Sequence, residues 1–88
     1  MINQRVDRNE LIKRIAARTG KSPKTAELML DAVLEEIYES LKRGEGVSLK
    51  NFGTFYVRSE PDSWVFKFNP AQRLRKVFGW SSTLTMSD

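Results

Sequence analysis

Eighty-eight residues with 15 Lys/Arg, 11 Asp/Glu, a net charge of +4 and neither His nor Cys allow one domain and a modest core. A chain this short buries only about 60–65% of its unfolded surface, so a partner subunit is the expected source of further burial and a homodimer the default symmetric solution. The missing residue types remove disulfides, thiolate zinc sites, the commonest general base and the commonest neutral metal ligand, and no apolar run approaches a membrane span or the core of a signal peptide.

The first five residues read as an extension preceding Val6. Asp7-Arg8-Asn9-Glu10 fits a capping box, with Asp7 as N-cap and Glu10 reaching back to its N–H. Leu11, Ile12, Ile15 and Ala16 follow at helical spacing, and Gly20 ends the run. Ser22-Pro23 opens a second helix as N-cap and first helical residue. Its stripe is Ala26, Leu30, Val33, Leu34, Ile37 and Leu41, and Gly44 lies past its end. Leu28 and Met29 widen the stripe, as expected of a helix covered on two sides.

Three short antiparallel strands come next. Val47 and Leu49 alternate with Ser48 and Lys50, Phe55 and Val57 with Tyr56 and Arg58, and Trp64, Phe66 and Phe68 with Val65 and Lys67. Asn51-Phe52-Gly53 supplies positive φ for the first turn, and Glu60-Pro61-Asp62-Ser63 fits a type I turn with Pro second. A third helix is expected from Asn69-Pro70-Ala71-Gln72, read as N-cap, N1 proline and capping-box glutamine, with Leu74, Val77 and Phe78 apolar and Gly79 as stop. The tail from Trp80 lacks periodicity and reads as mobile. The domain boundaries are thus 1–6 for the extension, 7–79 for the folded domain and 80–88 for the tail. The class is α+β: two helices, three antiparallel strands, one helix.

Charge is segregated along this order. Residues 1–21 carry six cations against two acids, and residues 64–88 carry four against Asp88 alone, whereas the middle is acidic. Segregated cations point to a polyanion partner. One sheet face would pack on the helices, and the other shows Ser48, Lys50, Tyr56, Arg58, Val65 and Lys67, which fits either an ordinary solvated face or a phosphate platform. Arg73, Arg75 and Lys76 fall within four residues of the third helix with no acid at i±3 or i±4. They fit a solvated last turn or a nucleic-acid contact equally well. Glu35, Glu36 and Glu39 read as a solvated helix face. No Walker-type phosphate loop is present, and Ser81, Ser82 and Thr83 have no base to activate them. An enzyme is not expected, nor a cofactor, a metal, a small-molecule substrate or a membrane partner.

The stretch "NELIKRIAARTGKSPKTAELMLDAVLEEIYESLKRGEGVSLKNFGTFYVR", Asn9 to Arg58, resembles the HU/IHF family of bacterial histone-like DNA-binding proteins. The family's "GFGTF" appears as Asn51-Phe52-Gly53-Thr54-Phe55, with Asn for the first Gly. "VFKFNPAQRLRKV", Val65 to Val77, is similar to its "VPAFKAGKALKDAV" ending. The resemblance implies an intertwined homodimer, with Leu34, Ile37, Leu41, Phe52, Phe55 and Phe68 in the dimer core, and a cytoplasmic place in the bacterial nucleoid. By the same resemblance Arg58 falls at the base of the family's DNA-binding arm and Arg75 on a backbone-contacting lysine, while Gln72 stands where a basic residue is usual.

The departure is the arm. Family members extend the last two strands into a basic β-arm that wedges a proline between base pairs; here Ser59 to Ser63 replaces it, with Glu60 and Asp62 beside Pro61. The expected function is therefore weak, sequence-tolerant binding of double-stranded DNA from the dimer body through Lys50, Arg58, Lys67, Arg73, Arg75 and Lys76. The alternative is an HU-like scaffold that binds a protein partner, or that pairs with an armed HU chain.

Overall fold

In a computed structural model, which describes residues 4–78, the element order is α1 (Arg8–Thr19), α2 (Pro23–Lys42), β1 (Val47–Leu49), β2 (Gly53–Glu60), β3 (Ser63–Pro70) and α3 (Gln72–Val77). The chain forms two compact units, Met1–Tyr38 and Glu39–Asp88, and α2 runs from the first into the second. The expectation of a mobile tail from Trp80 lies outside the described residues.

The first unit is a helix pair fixed by its caps. The Glu10 N–H donates to Asp7 Oδ1 at 2.9 Å, and the Thr25 N–H donates to Ser22 Oγ at 3.1 Å. Only half of the expected capping box forms: the Glu10 carboxylate accepts from Arg14 Nε at 3.1 Å and lies 3.9 Å from Lys13 Nζ. A charged donor one turn ahead suits the carboxylate better than a neutral backbone N–H behind it. Ile12, Ala16 and Ala26 are buried together, with Ile15 and Leu30 packed around them. Arg8 ties the two helices at their surface, donating to Asp31 Oδ1 at 2.7 Å and to Glu27 Oε2 at 3.1 Å. Those hydrogen bonds raise the Arg8 pKa, the Asp31 bond contributing most, and the Arg8 bond lowers that of Asp31.

The second unit begins within the last turn of α2, at Glu39. Gly44, at φ 80°, donates to the Leu41 carbonyl at 3.0 Å, and Glu45 donates to that of Ser40 at 3.0 Å, so the last turn closes on itself. The sheet has strand order β1-β2-β3, all antiparallel. Asn51 holds the first turn at φ 67°, as expected of an Asn-Phe-Gly turn, whereas Lys50 lies in that turn and not on the strand. The β2–β3 ladder runs from Gly53↔Pro70 to Glu60↔Ser63, leaving Pro61 and Asp62 as a two-residue turn.

The end of the sheet corrects the expected start of the third helix. Asn69 and Pro70 belong to β3, opposite Thr54 and Gly53, and α3 begins at Gln72 behind an Ala71 cap without a side-chain hydrogen bond. The ladder outcompetes the local capping signature, because it continues through Ala71 N–H to the Phe52 carbonyl at 2.9 Å. Pro70 fits there because β3 is an edge strand, where a missing donor is tolerated.

Gly53 is where the sheet is tightest. At φ 155° its position admits no side chain: a Cβ would lie 2.6 Å from the Asn69 carbonyl oxygen and 2.6 Å from Phe68 Cζ. The ring can shift, but the carbonyl belongs to the paired strand. Gly53→Ala is expected to cost about 1–3 kcal/mol, read as a lower urea midpoint at unchanged m-value. For the Arg8–Asp31 pair, the depressed Asp31 pKa means that its stabilisation is complete at neutral pH and fades as pH falls through the carboxylate's folded value. An Arg8→Gln variant should therefore melt below the parent protein at pH 7, with the gap closing in acid below about pH 4.

Candidate nucleic-acid interface

Strand alternation sorts the second unit into two faces. The apolar face carries Val47, Leu49, Phe55, Val57, Trp64, Phe66 and Phe68, cross-paired as Val47↔Phe55↔Phe68 and Val57↔Phe66. Phe55 sits 4.8 Å from Phe68 and 6.0 Å from Phe66 between ring centroids, and Phe52 folds from its turn onto Phe68 at 5.6 Å. The cluster stays open: Phe52 is 46% exposed and Phe66 57%. Leu41 of the last α2 turn meets Val57 and Trp64 in a recess of about 390 Å³ whose remaining lining is Lys42, Arg43 and Gly44. Lys42 and Arg43 face their own acids, Glu39 at 3.6 Å and Glu45 at 3.1 Å, and the Arg43 bond holds the Glu45 carboxyl below its ordinary value. An apolar recess with its cations engaged offers no acid–base or nucleophilic chemistry.

The polar face carries Ser48, Thr54, Tyr56, Arg58, Glu60, Val65, Lys67 and Asn69. Thr54 Oγ1 donates to Ser48 Oγ at 3.2 Å across β1 and β2, and Tyr56 stands opposite Lys67. Arg58 does not present a free charge. Its Nε donates to Glu60 Oε2 at 2.9 Å, two residues further along the same face of β2. Arg58, expected to face phosphate, thus stands beside an acid of the chain itself.

An Arg75 guanidinium nitrogen donates to Asn69 Oδ1 at 2.9 Å, linking the polar face to α3. That bond explains why Asn69, freed from capping, still organises the helix start. Arg73 and Lys76, one turn apart on α3, are both exposed. Neither they nor Lys50 has an ion pair among the described residues. Of the six expected site residues, the structure thus gathers Lys67, Arg73, Arg75 and Lys76 around β3 and α3, sets Lys50 in the first turn and engages Arg58 with Glu60.

In the first unit, Arg18, Lys21 and Lys24 are exposed without an ion pair among the described residues. Sequence reading did not single them out, although their spacing around the α1–α2 junction was the available signal. No group of three or more acids suited to a metal ion occurs among the described residues, and no described helix is long and apolar enough to cross a membrane.

Comparison with known families decides the class. The family model described as bacterial DNA-binding protein matches residues 6–63. The chain belongs to this family, the HU/IHF proteins. The DNA-binding protein HU of Thermotoga maritima is 34% identical over 85 residues, spanning 78% of this chain and 94% of the relative. The integration host factor β subunit of Rhizobium radiobacter is 45% identical over 58 residues, covering 61% of this chain and 54% of that relative. Among solved structures, HU from Thermotoga maritima superposes with a TM-score of 0.71 at 38% identity, over 81% of this chain and 96% of that one. A cocrystal structure of Anabaena HU with DNA gives a TM-score of 0.72 at 24% identity, over 84% of this chain and 99% of that one, which shows the same fold. As an HU/IHF member the chain is a bacterial, histone-like protein and not an enzyme.

Proposed function

We propose that this HU/IHF chain is a largely sequence-independent double-stranded DNA-binding protein of the bacterial nucleoid, which acts as a homodimer and grips the phosphate backbone from the dimer body without intercalating arms. The DNA assignment rests on the family and on the relatives named DNA-binding protein HU. The single observation that carries the armless reading is the closure of the β2–β3 hairpin at Glu60↔Ser63. The alignment with the Thermotoga protein supports it, since its 85 positions outnumber the residues this chain contributes to them. Pro61 occupies the turn itself, so its ring completes the reversal of the chain and is not displayed as a wedge.

The dimer is supported by what one chain leaves uncovered. Among the described residues the buried apolar side chains are Ile12, Ala16 and Ala26 in the helices and Pro70 at the end of β3, whereas Leu28, Met29, Val33, Leu34 and Tyr38 of α2 each expose more than half of their surface. A second copy would cover Leu34 and Ile37 of the α2 stripe in the first unit and, separately, Leu41 and the Phe52–Phe55–Phe68 cluster in the second.

The contact set is Arg73, Lys76, Arg75, Lys67 and Lys50. If roughly three of these neutralise phosphates in each subunit, a dimer covers about six, and log K against log salt should fall with a slope near −5. Nothing in the hairpin offsets the cost of bending a duplex, about 1–6 kcal/mol, so a sharp kink is not expected. A second reading, an HU-like scaffold that binds protein, is favoured by the Arg58–Glu60 pair and by Trp64, which is 68% exposed.

A salt titration of duplex binding separates the two readings. The DNA reading expects measurable affinity at low salt with the slope above, flattened by about 2 or more when Arg73, Arg75 and Lys76 are changed together to Ala. Undetectable affinity at low salt would leave the scaffold reading, and a sharp kink in a bending assay would contradict the armless one.

A further inference from the structure

We propose that Glu60 is an intramolecular phosphate mimic, which occupies Arg58, closes the hairpin tip to DNA and so directs the duplex toward α3. The inference rests on the proposed DNA binding and concerns which part of the surface does it.

The geometry is local and firmly placed. Arg58 and Glu60 are separated by two residues on one strand, so their side chains leave the same face of β2. The Glu60 backbone is held at the last rung of the ladder, opposite Ser63. Its side chain is the less exposed of the pair, 33% against 58% for Arg58, and its Oε2 accepts from Arg58 Nε at 2.9 Å. A carboxylate in that position offers the guanidinium what a phosphate oxygen would offer, a charge-assisted acceptor at 2.9 Å. Arg58 and Glu60 together therefore bring no net charge to the polar face. Asp62, in the turn and without an ion pair among the described residues, adds a further negative charge.

The second unit is polarised as a result. From Arg58 to Asp62 the hairpin tip sums to one negative charge, while α3 carries Arg73, Arg75 and Lys76 and no acid. A polyanion is repelled at one end of β3 and attracted at the other. Exposed pairs of this kind contribute little to folding, so the carboxylate can be neutralised without endangering the fold. That separates its effect on binding from its effect on structure.

The test is a double-mutant cycle on the full chain, read as affinity for a short mixed-sequence duplex across a salt series, with thermal melts as the folding control. Glu60→Gln should bind tighter, with a salt slope steeper by about 0.9 per subunit, or about 1.8 per dimer, so its gain over the parent protein shrinks about tenfold between 50 and 200 mM salt. Arg58→Ala alone should leave affinity within about twofold, because its charge is already engaged. In the Glu60→Gln background the same change should abolish the gain. The inference is overturned if Glu60→Gln leaves affinity unchanged, if Arg58→Ala costs as much alone as it does when combined with Glu60→Gln, or if the double variant keeps the gain, which would mean repulsion without the ion pair. Binding by Glu60→Gln alone, with none by the parent protein, supports the inference in its strongest form. Absence of binding by both proteins overturns it together with the DNA reading, whereas a parent protein that binds, with Glu60→Gln no different, overturns only the inference.

Discussion

The α2 stripe and the aromatic sheet face are apolar surfaces that one chain makes and does not close. Leu28, Met29, Val33 and Leu34 along the helix, and Phe52, Trp64 and Phe66 beside the sheet, are exposed in the single chain, and its buried apolar side chains are Ile12, Ala16, Ala26 and Pro70 among the described residues. Burial contributes about 25 cal/mol per Å² of apolar surface, so surfaces of this kind decide whether a chain of 88 residues has a stable fold. Local order comes first: caps at Asp7 and Ser22 define the helices, and Asn51 and Gly53 set the turn that brings Phe52 back onto Phe55 and Phe68. The proposed second copy completes what local order begins. The proposed homodimer and the exposed α2 stripe are in this sense one requirement.

Electrostatics acts on the other face and selects among cations that composition alone treats as equal. Arg8, Lys13, Arg14, Lys42, Arg43 and Arg58 each face a carboxylate of the chain itself. Among the described residues Arg73 and Lys76 have no such ion pair, and Arg75 donates to the uncharged side-chain oxygen of Asn69. A net charge of +4 therefore understates how basic the α3 end is and overstates how basic the hairpin tip is. The short hairpin and its acidic turn belong together in this account. The proposed reading joins the two: a hairpin that closes at Glu60↔Ser63 offers no arm to a groove, and Glu60 and Asp62 at its tip repel phosphate.

Much of this was legible in the sequence where the determinant is local. The Asp7 and Ser22-Pro23 caps, the Gly20 and Gly44 stops, the positive φ at Asn51 and the two-residue turn at Pro61-Asp62 all depend on neighbours within a few positions. The third helix misled for the opposite reason. Asn69-Pro70-Ala71-Gln72 has the local signature of a helix start, but Thr54 and Gly53, distant in sequence, claim Asn69 and Pro70 for the strand. The site was legible in kind and not in detail. Clustered cations on α3 needed only counting, whereas the engagement of Arg58 depends on where the hairpin closes, since strand pairing that continues past Arg58 places Glu60 on its face. Period-two alternation carried that information had it been extended from Arg58 to Glu60.

The central claim is that two copies share one core, and the molar mass of the purified protein across a dilution series tests it most directly. The account predicts a particle of twice the 10.2 kDa chain that dissociates only as it unfolds, with a melting temperature that rises with protein concentration. A cooperatively folded particle of single-chain mass, melting at the same temperature at every concentration, would contradict it.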